Sequence, residues 1–186
     1  MNKIIGLGIL ILLITSCKSP EARRPVSVKT GSFIDTSIAR DKELNEREKA
    51  RILEIIAQNP ERDYLTSESG FWYYYNTKVE SDSLLKPDFG DIVNFDYNVK
   101  TLNNNVIYSK QDLGTQHYAM DQAELFSGLR EGLKLMKAGE TVTFMFPSQK
   151  AFGYYGDEGK IGSSIPLICE VNINSITKNQ ANLNLK

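Results

Sequence analysis

The hydrophobic positions after Ser127 repeat at helical spacing. Leu129, Leu133 and Met136 follow one another at steps of four and three residues, which places them on one face of an α-helix. Ser127 is expected to be the N-cap, because its hydroxyl can accept from the free N–H groups of the first turn. Gly139 is expected to end the helix, since glycine readily adopts the conformation that follows a last turn. The pattern predicts one short helix between these two residues.

The spacing of hydrophobic residues changes to two between Glu140 and Phe146. Three apolar side chains then share one face, namely Val142, Phe144 and Phe146. This alternation predicts a β-strand with one buried face, and Pro147 is expected to stop it. The loop that follows, residues 151–156, is too rich in aromatic residues for a plain solvent-exposed turn.

Four further segments are predicted to be strands because they alternate or are rich in aromatic residues. They are Phe71–Tyr75, Ile92–Val99, Val106–Ser109 and Leu167–Ile176. Asn103–Asn105 is predicted to be a hairpin tip, since asparagine tolerates positive φ. Several alternating strands with one short helix predict an α+β fold, in which a curved antiparallel sheet wraps across the helix.

The first 34 residues are predicted to be a targeting signal followed by a tether. In residues 1–17, Lys3 precedes an apolar run that is much shorter than the ~20 residues of a membrane span, which indicates a signal peptide. Ile14–Cys17 resembles the lipobox of bacterial lipoproteins, in which the cysteine is acylated, so Cys17 is the predicted lipidation site. A secretory signal with an incidental cysteine is the alternative. The polar residues 18–34 are predicted to be a tether.

Residues 35–60 have a helical composition, with charges in the middle and a short apolar patch near the end. The patch consists of Ile52, Ile55 and Ile56. Two interpretations stay open for this helical extension: it lies on the domain surface, or it is an arm for dimerisation or for another partner. Residues 61–178 are predicted to form the main domain and residues 179–186 a tail.

Charge and composition exclude several functions. The formal net charge of the 186-residue chain is -1, so there is no basic excess to bind nucleic acid. The single histidine, His117, has no second ligand at metal-site spacing, and neither a metal nor a cofactor is expected. Cys17 and Cys169 are the two cysteines, and lipidation of Cys17 would leave Cys169 unpaired. No paired carboxylates or nucleophile–base pair stands out, so Glu131 and Asp157 are expected to matter little for chemistry.

The predicted helix, strand and aromatic loop share a spaced motif. It consists of Gly128-Leu129-Arg130-Glu131-Gly132-Leu133, Met136 and Gly139-Glu140, then Pro147 and Ala151-Phe152-Gly153. In this order, the motif resembles the FKBP-type peptidyl-prolyl isomerases over residues 88–176. The chain from Cys17 onward also looks like the gliding-motility-associated lipoproteins of this family. The resemblance implies the FKBP half-barrel and prolyl isomerase activity.

Carried over position by position, the resemblance implies an apolar pocket for a proline-containing polypeptide. Its catalytic residues would be Tyr97, Tyr108, Phe126 and Phe152. Its other substrate-binding residues would be Leu125, Leu129, Ile161 and Cys169. Plain core packing is the alternative for each of them.

Four positions depart from many active relatives. Leu129 stands where they have Trp, Phe152 where they have Tyr, Ser109 where they have Asp, and Cys169 where they have Phe. Loss of one neutral hydrogen bond costs roughly 0.5–1.5 kcal/mol, so a weak enzyme or a non-catalytic peptide-binding module or chaperone is the alternative function.

Taken together, these features predict a lipid-anchored folding factor for cell-envelope proteins. Lys18 replaces the aspartate that retains many lipoproteins in the inner membrane, which favours the outer membrane, facing the periplasm.

Overall fold

The computed structural model describes residues 30–81 and 84–179. The predicted signal peptide with Cys17, most of the tether and all but the first residue of the tail lie outside the described residues. The chain divides into two compact units, Met1–Ser37 and Ile38–Lys186, and only the start of the first helix is described in the first unit. None of the described helices combines the length and apolar character needed to cross a bilayer.

Within the described residues, helices lie at the beginning and in the middle of a chain that is otherwise mostly strand. In order, the elements are α1 (Thr30–Ala57), β1 (Leu65–Thr66), β2 (Trp72–Thr77), β3 (Ile92–Tyr97), β4 (Val99–Thr101), β5 (Val106–Tyr108), α2 (Lys110–Leu113), β6 (Gln116–Ala119), α3 (Ser127–Leu133), β7 (Thr141–Phe146), a 3₁₀ turn (Ser148–Lys150) and β8 (Leu167–Thr177).

The strands form one antiparallel sheet in the order β1-β2-β7-β8-β3-β6, with β4 beside β8 and β5 beside β4. The long strand β8 pairs with β7 on one side and with both β3 and β4 on the other. Asn104, with φ of 62°, lies in the predicted hairpin tip between β4 and β5. The predicted α+β fold, with a short helix, an antiparallel sheet and an N-terminal helix, is confirmed.

Helix α3 packs against the inner face of the sheet, and two glycines allow it to come close. A Cβ atom at Gly128 would lie 2.6 Å from both the Phe146 ring and the Lys150 carbonyl oxygen, and one at Gly132 would lie 3.0 Å from the Phe144 ring. The first distance is far below normal contact between carbon atoms and the second is tight. The glycine pair of the motif is therefore explained by the packing of α3 on β7.

The predicted inward face of β7 is confirmed, and one face of β8 is buried in the same core. Val142, Phe144 and Phe146 of β7 and Cys169, Val171 and Ile173 of β8 are fully buried in the main core. Phe144 and Phe146 stack at 5.5 Å between ring centroids.

The outer face of the sheet is also buried where α1 covers it. Ile52 of α1 is fully buried in a second cluster with Trp72, Met145 and Ile168. Thus β7 has two buried faces, whereas its alternation predicted only one. Part of the apolar patch predicted on this helix therefore packs on the protein's own sheet.

The predicted ends of the motif helix are wrong. Phe126, not Ser127, occupies the N-cap position. The Ser127 hydroxyl instead donates a hydrogen bond to the Lys150 carbonyl oxygen, at 3.4 Å. The helix ends at Leu133, well before Gly139, because the chain turns there to carry Met136 into the core. Four short elements had no sequence prediction: β1, α2, β6 and the 3₁₀ turn.

Candidate functional site

An aromatic cavity of about 610 Å³ opens beside the N-terminus of α3. Its lining comes from the end of β3, the start of β6, the loop before α3, α3 itself and the loop after β7. The lining residues are Tyr97, Gln116, Ala123, Glu124, Leu125, Phe126, Arg130 and Phe152. A larger groove of about 980 Å³ lies near the end of α1, but none of the predicted site residues lines it.

Phe126 is the central aromatic wall of this cavity. Its ring centroid lies 5.0 Å from that of Phe152 and 5.5 Å from that of Phe146, the latter in a T-shaped arrangement. Tyr97 stands on another wall, 5.5 Å from the Phe95 ring. Because each ring packs against at least one other, the walls are held in place before any ligand enters.

Four of the eight predicted pocket residues line the cavity, and the other four do not. Tyr97, Leu125, Phe126 and Phe152 are the lining residues. Leu129, Ile161 and Cys169 are almost completely buried in the core cluster that the four lining residues pack against. Tyr108 packs against the same cluster and is half-buried. The structure therefore gathers all eight around one core but exposes only part of the set.

Tyr108 is bound to the loop after β7 through Asp157. Its hydroxyl donates to the Asp157 carboxylate at 2.6 Å and accepts from the backbone N–H of Lys160 at 3.0 Å. The other Asp157 oxygen accepts from the backbone N–H groups of Gly159 and Ile161, both at 2.8 Å. Through these hydrogen bonds, Asp157 connects the end of β5, in the β4–β5 hairpin, to the loop that follows Phe152.

Ser109 has a different role from that of an aspartate beside the hairpin aromatic residue. It is the N-cap of α2, where its hydroxyl accepts from the Asp112 N–H and the Asp112 carboxylate accepts from the Ser109 N–H in return. This capping box begins α2 directly after β5.

The structure shifts the pKa values of three groups at or near the cavity, namely Tyr97, Cys169 and Asp157. Burial raises the pKa of Tyr97 to about 12, and the nearby Cys169 and Tyr108 add to that effect. Burial also raises the pKa of the Cys169 thiol. Burial tends to raise the pKa of Asp157, but its hydrogen bonds from Tyr108, Ile161 and Gly159 outweigh burial and hold the pKa below the ordinary value. Tyr97 and Cys169 are therefore neutral and Asp157 is ionised at pH 7.

Sequence reasoning missed the polar side of the cavity. Gln116 is the first residue of the four-residue strand β6. The buried apolar residues Tyr118, within the strand, and Met120, directly after it, were the sequence signal available for this element. Arg130 lies within the recognised motif, and its guanidinium Nε is 3.6 Å from an Asp121 carboxylate oxygen. Among the described residues, no group of three or more His, Cys, Asp or Glu side chains is arranged to hold a metal ion.

Residues 85–174, which hold both the cavity and the motif, match a family model described as FKBP-type peptidyl-prolyl cis-trans isomerase. This segment is therefore similar in sequence to FKBP-type domains. The family match supports peptidyl-prolyl cis-trans isomerase activity for it. Comparison with curated protein sequences found no match.

Solved structures agree with the FKBP-type fold. A peptidyl-prolyl cis-trans isomerase from Pseudomonas syringae is 18% identical, with a TM-score of 0.59 over 74% of this chain and 96% of that chain. FkpA from Escherichia coli is also 18% identical, with a TM-score of 0.58 over 95% of this chain and 81% of that chain. The N-terminal domain of FKBP42 from Arabidopsis thaliana is 15% identical, with a TM-score of 0.55 over 62% of this chain and 93% of that chain.

The Asp157 contacts change what is expected of that residue. Asp157→Asn removes the charge and one acceptor from a site with three donors, so we expect a loss of about 1–2 kcal/mol of unfolding free energy. We also expect the isomerisation rate to fall several-fold, because the loop that follows Phe152 loses its attachment to Tyr108.

Parallel urea unfolding and peptide isomerisation assays measure both effects. Glu158→Gln is the matched control, since this neighbouring carboxylate is exposed. If Asp157→Asn matches the wild type in both assays, Asp157 does not hold the loop.

Proposed function

We propose that this protein is a lipid-anchored prolyl isomerase that assists the folding of cell-envelope proteins, including parts of a gliding machinery. The observation that supports catalysis is the aromatic cavity formed by Tyr97, Phe126 and Phe152 inside an FKBP-type domain. The substrates are proline-containing polypeptides, and the reaction is rotation about the bond that precedes proline.

Rotation about an amide bond needs an apolar environment more than it needs a proton donor. The barrier is ~18–20 kcal/mol and comes from conjugation between the nitrogen and the carbonyl group. Conjugation is lost in the twisted transition state, so the amide is less polar there than in either planar form. A cavity that excludes water and offers few hydrogen bonds therefore binds the twisted form better than the planar forms.

The three aromatic lining residues have roles in this mechanism. Phe126 and Phe152 form one apolar wall through their ring contact, and Tyr97 forms another. Their binding to the proline ring would hold it still while the preceding carbonyl group turns. None of these side chains gains or loses a proton in the reaction, which agrees with the raised pKa of Tyr97.

A non-catalytic peptide-binding module on the same fold is the second candidate. Phe152 lacks a hydroxyl that could donate to a substrate carbonyl, and the fully buried floor residue Leu129 is aliphatic. With both features the binding site stays apolar, but its interaction with the rotating substrate carbonyl group is weaker. Binding of a proline peptide without acceleration of its isomerisation would establish this second function.

The proposed location rests on the sequence before the described residues. Because Cys17 ends a lipobox and Lys18 follows it, we place the acylated N-terminus in the outer membrane, facing the periplasm. Two acyl chains bind a bilayer stably, at ~0.8 kcal/mol for each buried CH₂ group. Residues 18–34 would then separate the domain from the membrane surface.

Replacement of the predicted acyl acceptor tests the anchor. Cys17→Ser should abolish fatty-acid labelling and release the protein from the membrane fraction or leave it unprocessed. Ser19→Ala, two residues further on, is the control and should label like the wild type. Normal labelling and membrane retention of Cys17→Ser would contradict lipidation at this residue.

The client and partner proposals have their own tests. Spreading of a deletion strain on agar, with and without a wild-type copy, tests the link to gliding, and unchanged spreading would remove that link.

A second copy or another partner is proposed to contact the exposed side of α1, where Ile38 and Leu53 are open to solvent. Light scattering of the wild type and of Leu53→Ser tests self-association, and a monomeric wild type would contradict dimerisation.

A further inference from the structure

Helix α1 carries a buried carboxylate, that of Glu48, which contacts the start of the loop that contributes Phe152 to the aromatic cavity. Glu48 is only 6% exposed, and both of its carboxylate oxygens are used by one residue, Ser148. One oxygen accepts from the Ser148 backbone N–H at 2.7 Å and the other from the Ser148 hydroxyl at 2.7 Å. No cation pairs with Glu48 within residues 30–81 and 84–179. A buried carboxylate is costly unless it is hydrogen-bonded, so these two bonds fix the relative position of α1 and Ser148.

Ser148 in turn holds the residues on both sides of Phe152. Its carbonyl oxygen accepts from the N–H of Ala151 at 3.0 Å and from the N–H of Gly153 at 2.8 Å. Phe152 lies between these two anchored residues, and its ring packs on Phe126 in the cavity wall. A continuous series of hydrogen bonds therefore runs from Glu48 through Ser148 to the backbone that carries Phe152.

The helix cannot shift easily relative to this loop. Ile52, one turn after Glu48, is fully buried against Met145 and Trp72 on the outer face of the sheet. Met145 and Ser148 lie only three residues apart, so the apolar contact and the two hydrogen bonds attach α1 to the same short stretch of chain. The isomerase motif itself contains no part of α1.

We propose that Glu48 is a positioning residue for the isomerase site, so that the activity of the domain depends on the helical extension. The inference rests on the proposed function, since Phe152 is taken to be a cavity wall. Without Glu48, Ser148 loses the acceptor for its N–H and hydroxyl groups, and the 151–153 backbone can move away from Phe126. Such a shift opens the cavity to water and weakens its preference for the twisted amide.

Three variants of the full chain test the proposal on a proline tetrapeptide. Glu48→Ala should lower kcat/KM about tenfold, since small errors in the position of a catalytic group have large effects on rate. Glu48→Gln should stay within about twofold of the wild type, because its amide oxygen can accept from the Ser148 N–H and its NH₂ group can donate to the Ser148 hydroxyl. Ser148→Ala removes only one of the two bonds and should have an intermediate effect. Glu46→Ala changes the same charge on the exposed side of the helix and is the matched control.

Amide hydrogen exchange gives a second readout that does not depend on catalysis. In Glu48→Ala, exchange should become faster at Ser148, Ala151 and Gly153 but stay slow at Phe144 in the middle of β7. A wild type without isomerase activity would reject the proposed function, whereas this exchange pattern would still support the attachment of the loop by Glu48. Unchanged exchange at Gly153, an equal increase across β7, or a Glu46→Ala effect as large as that of Glu48→Ala would overturn the proposal.

Discussion

Phe126→Ala is expected to lower the rate of proline-peptide isomerisation by about tenfold or more, which corresponds to at least ~1.4 kcal/mol of transition-state stabilisation. Phe126 packs on both Phe152 and Phe146, so its loss removes the central wall and admits water to the cavity. Because the side chain is only half-buried, the variant should still unfold cooperatively. The measurement is the rate constant for a tetrapeptide substrate, at protein concentrations checked by a folding probe.

Two further substitutions make that result specific to an apolar mechanism. Glu131→Gln removes a nearby surface charge and should leave the rate almost unchanged. Phe152→Tyr should raise it modestly, since the new hydroxyl can donate to the substrate carbonyl, a bond worth roughly 0.5–1.5 kcal/mol. A rate that collapses in Glu131→Gln and ignores Phe126→Ala would indicate acid–base chemistry instead.

Phe144→Ala should cost about 3–5 kcal/mol of unfolding free energy, a large part of the ~5–15 kcal/mol of an ordinary domain. Phe144 is fully buried, with ring contacts to Phe71 at 5.8 Å and to Phe146 at 5.5 Å. Its ring also fills the space beside Gly132, so truncation leaves a cavity between α3 and the sheet.

The urea midpoint of unfolding measures this loss. Tyr155→Ala is the control, because that side chain is 88% exposed and its truncation should change stability by less than about 0.5 kcal/mol. A midpoint for Phe144→Ala close to that of the wild type would mean that Phe144 does not support the core.

Local patterns predicted most of the longer elements and the inner face of β7, because these features depend on residues near in sequence. The alternation of Val142, Phe144 and Phe146 identified β7 and its side toward the core. The ends of α3 were wrong for a local reason as well. Ser127 has the chemistry of an N-cap, but packing of α3 on the loop after β7 turns its hydroxyl toward the Lys150 carbonyl instead.

Contacts between distant parts of the chain were beyond such reasoning. Glu48 and Ser148 are 100 residues apart, and neither has a neighbour that signals a buried hydrogen bond. Tyr108 and Asp157 are 49 residues apart, so no local pattern indicated a partner for Asp157. The same holds for the outer face of β7, whose burial depends on where α1 crosses the sheet. The family resemblance indicated the residues of the cavity walls, whereas the support of those walls depends on tertiary contacts that no motif records.

The cis-to-trans rate of a proline tetrapeptide, measured with and without the wild-type protein between about pH 6 and 9, tests the central claim most directly. We predict acceleration proportional to protein concentration and almost constant over this range. Tyr97, with its pKa raised to about 12, stays neutral throughout, and Asp157, with its pKa held below the ordinary value, stays ionised. A rate equal to the uncatalysed rate at every protein concentration would contradict isomerase activity, and a bell-shaped pH profile would contradict catalysis by an apolar cavity.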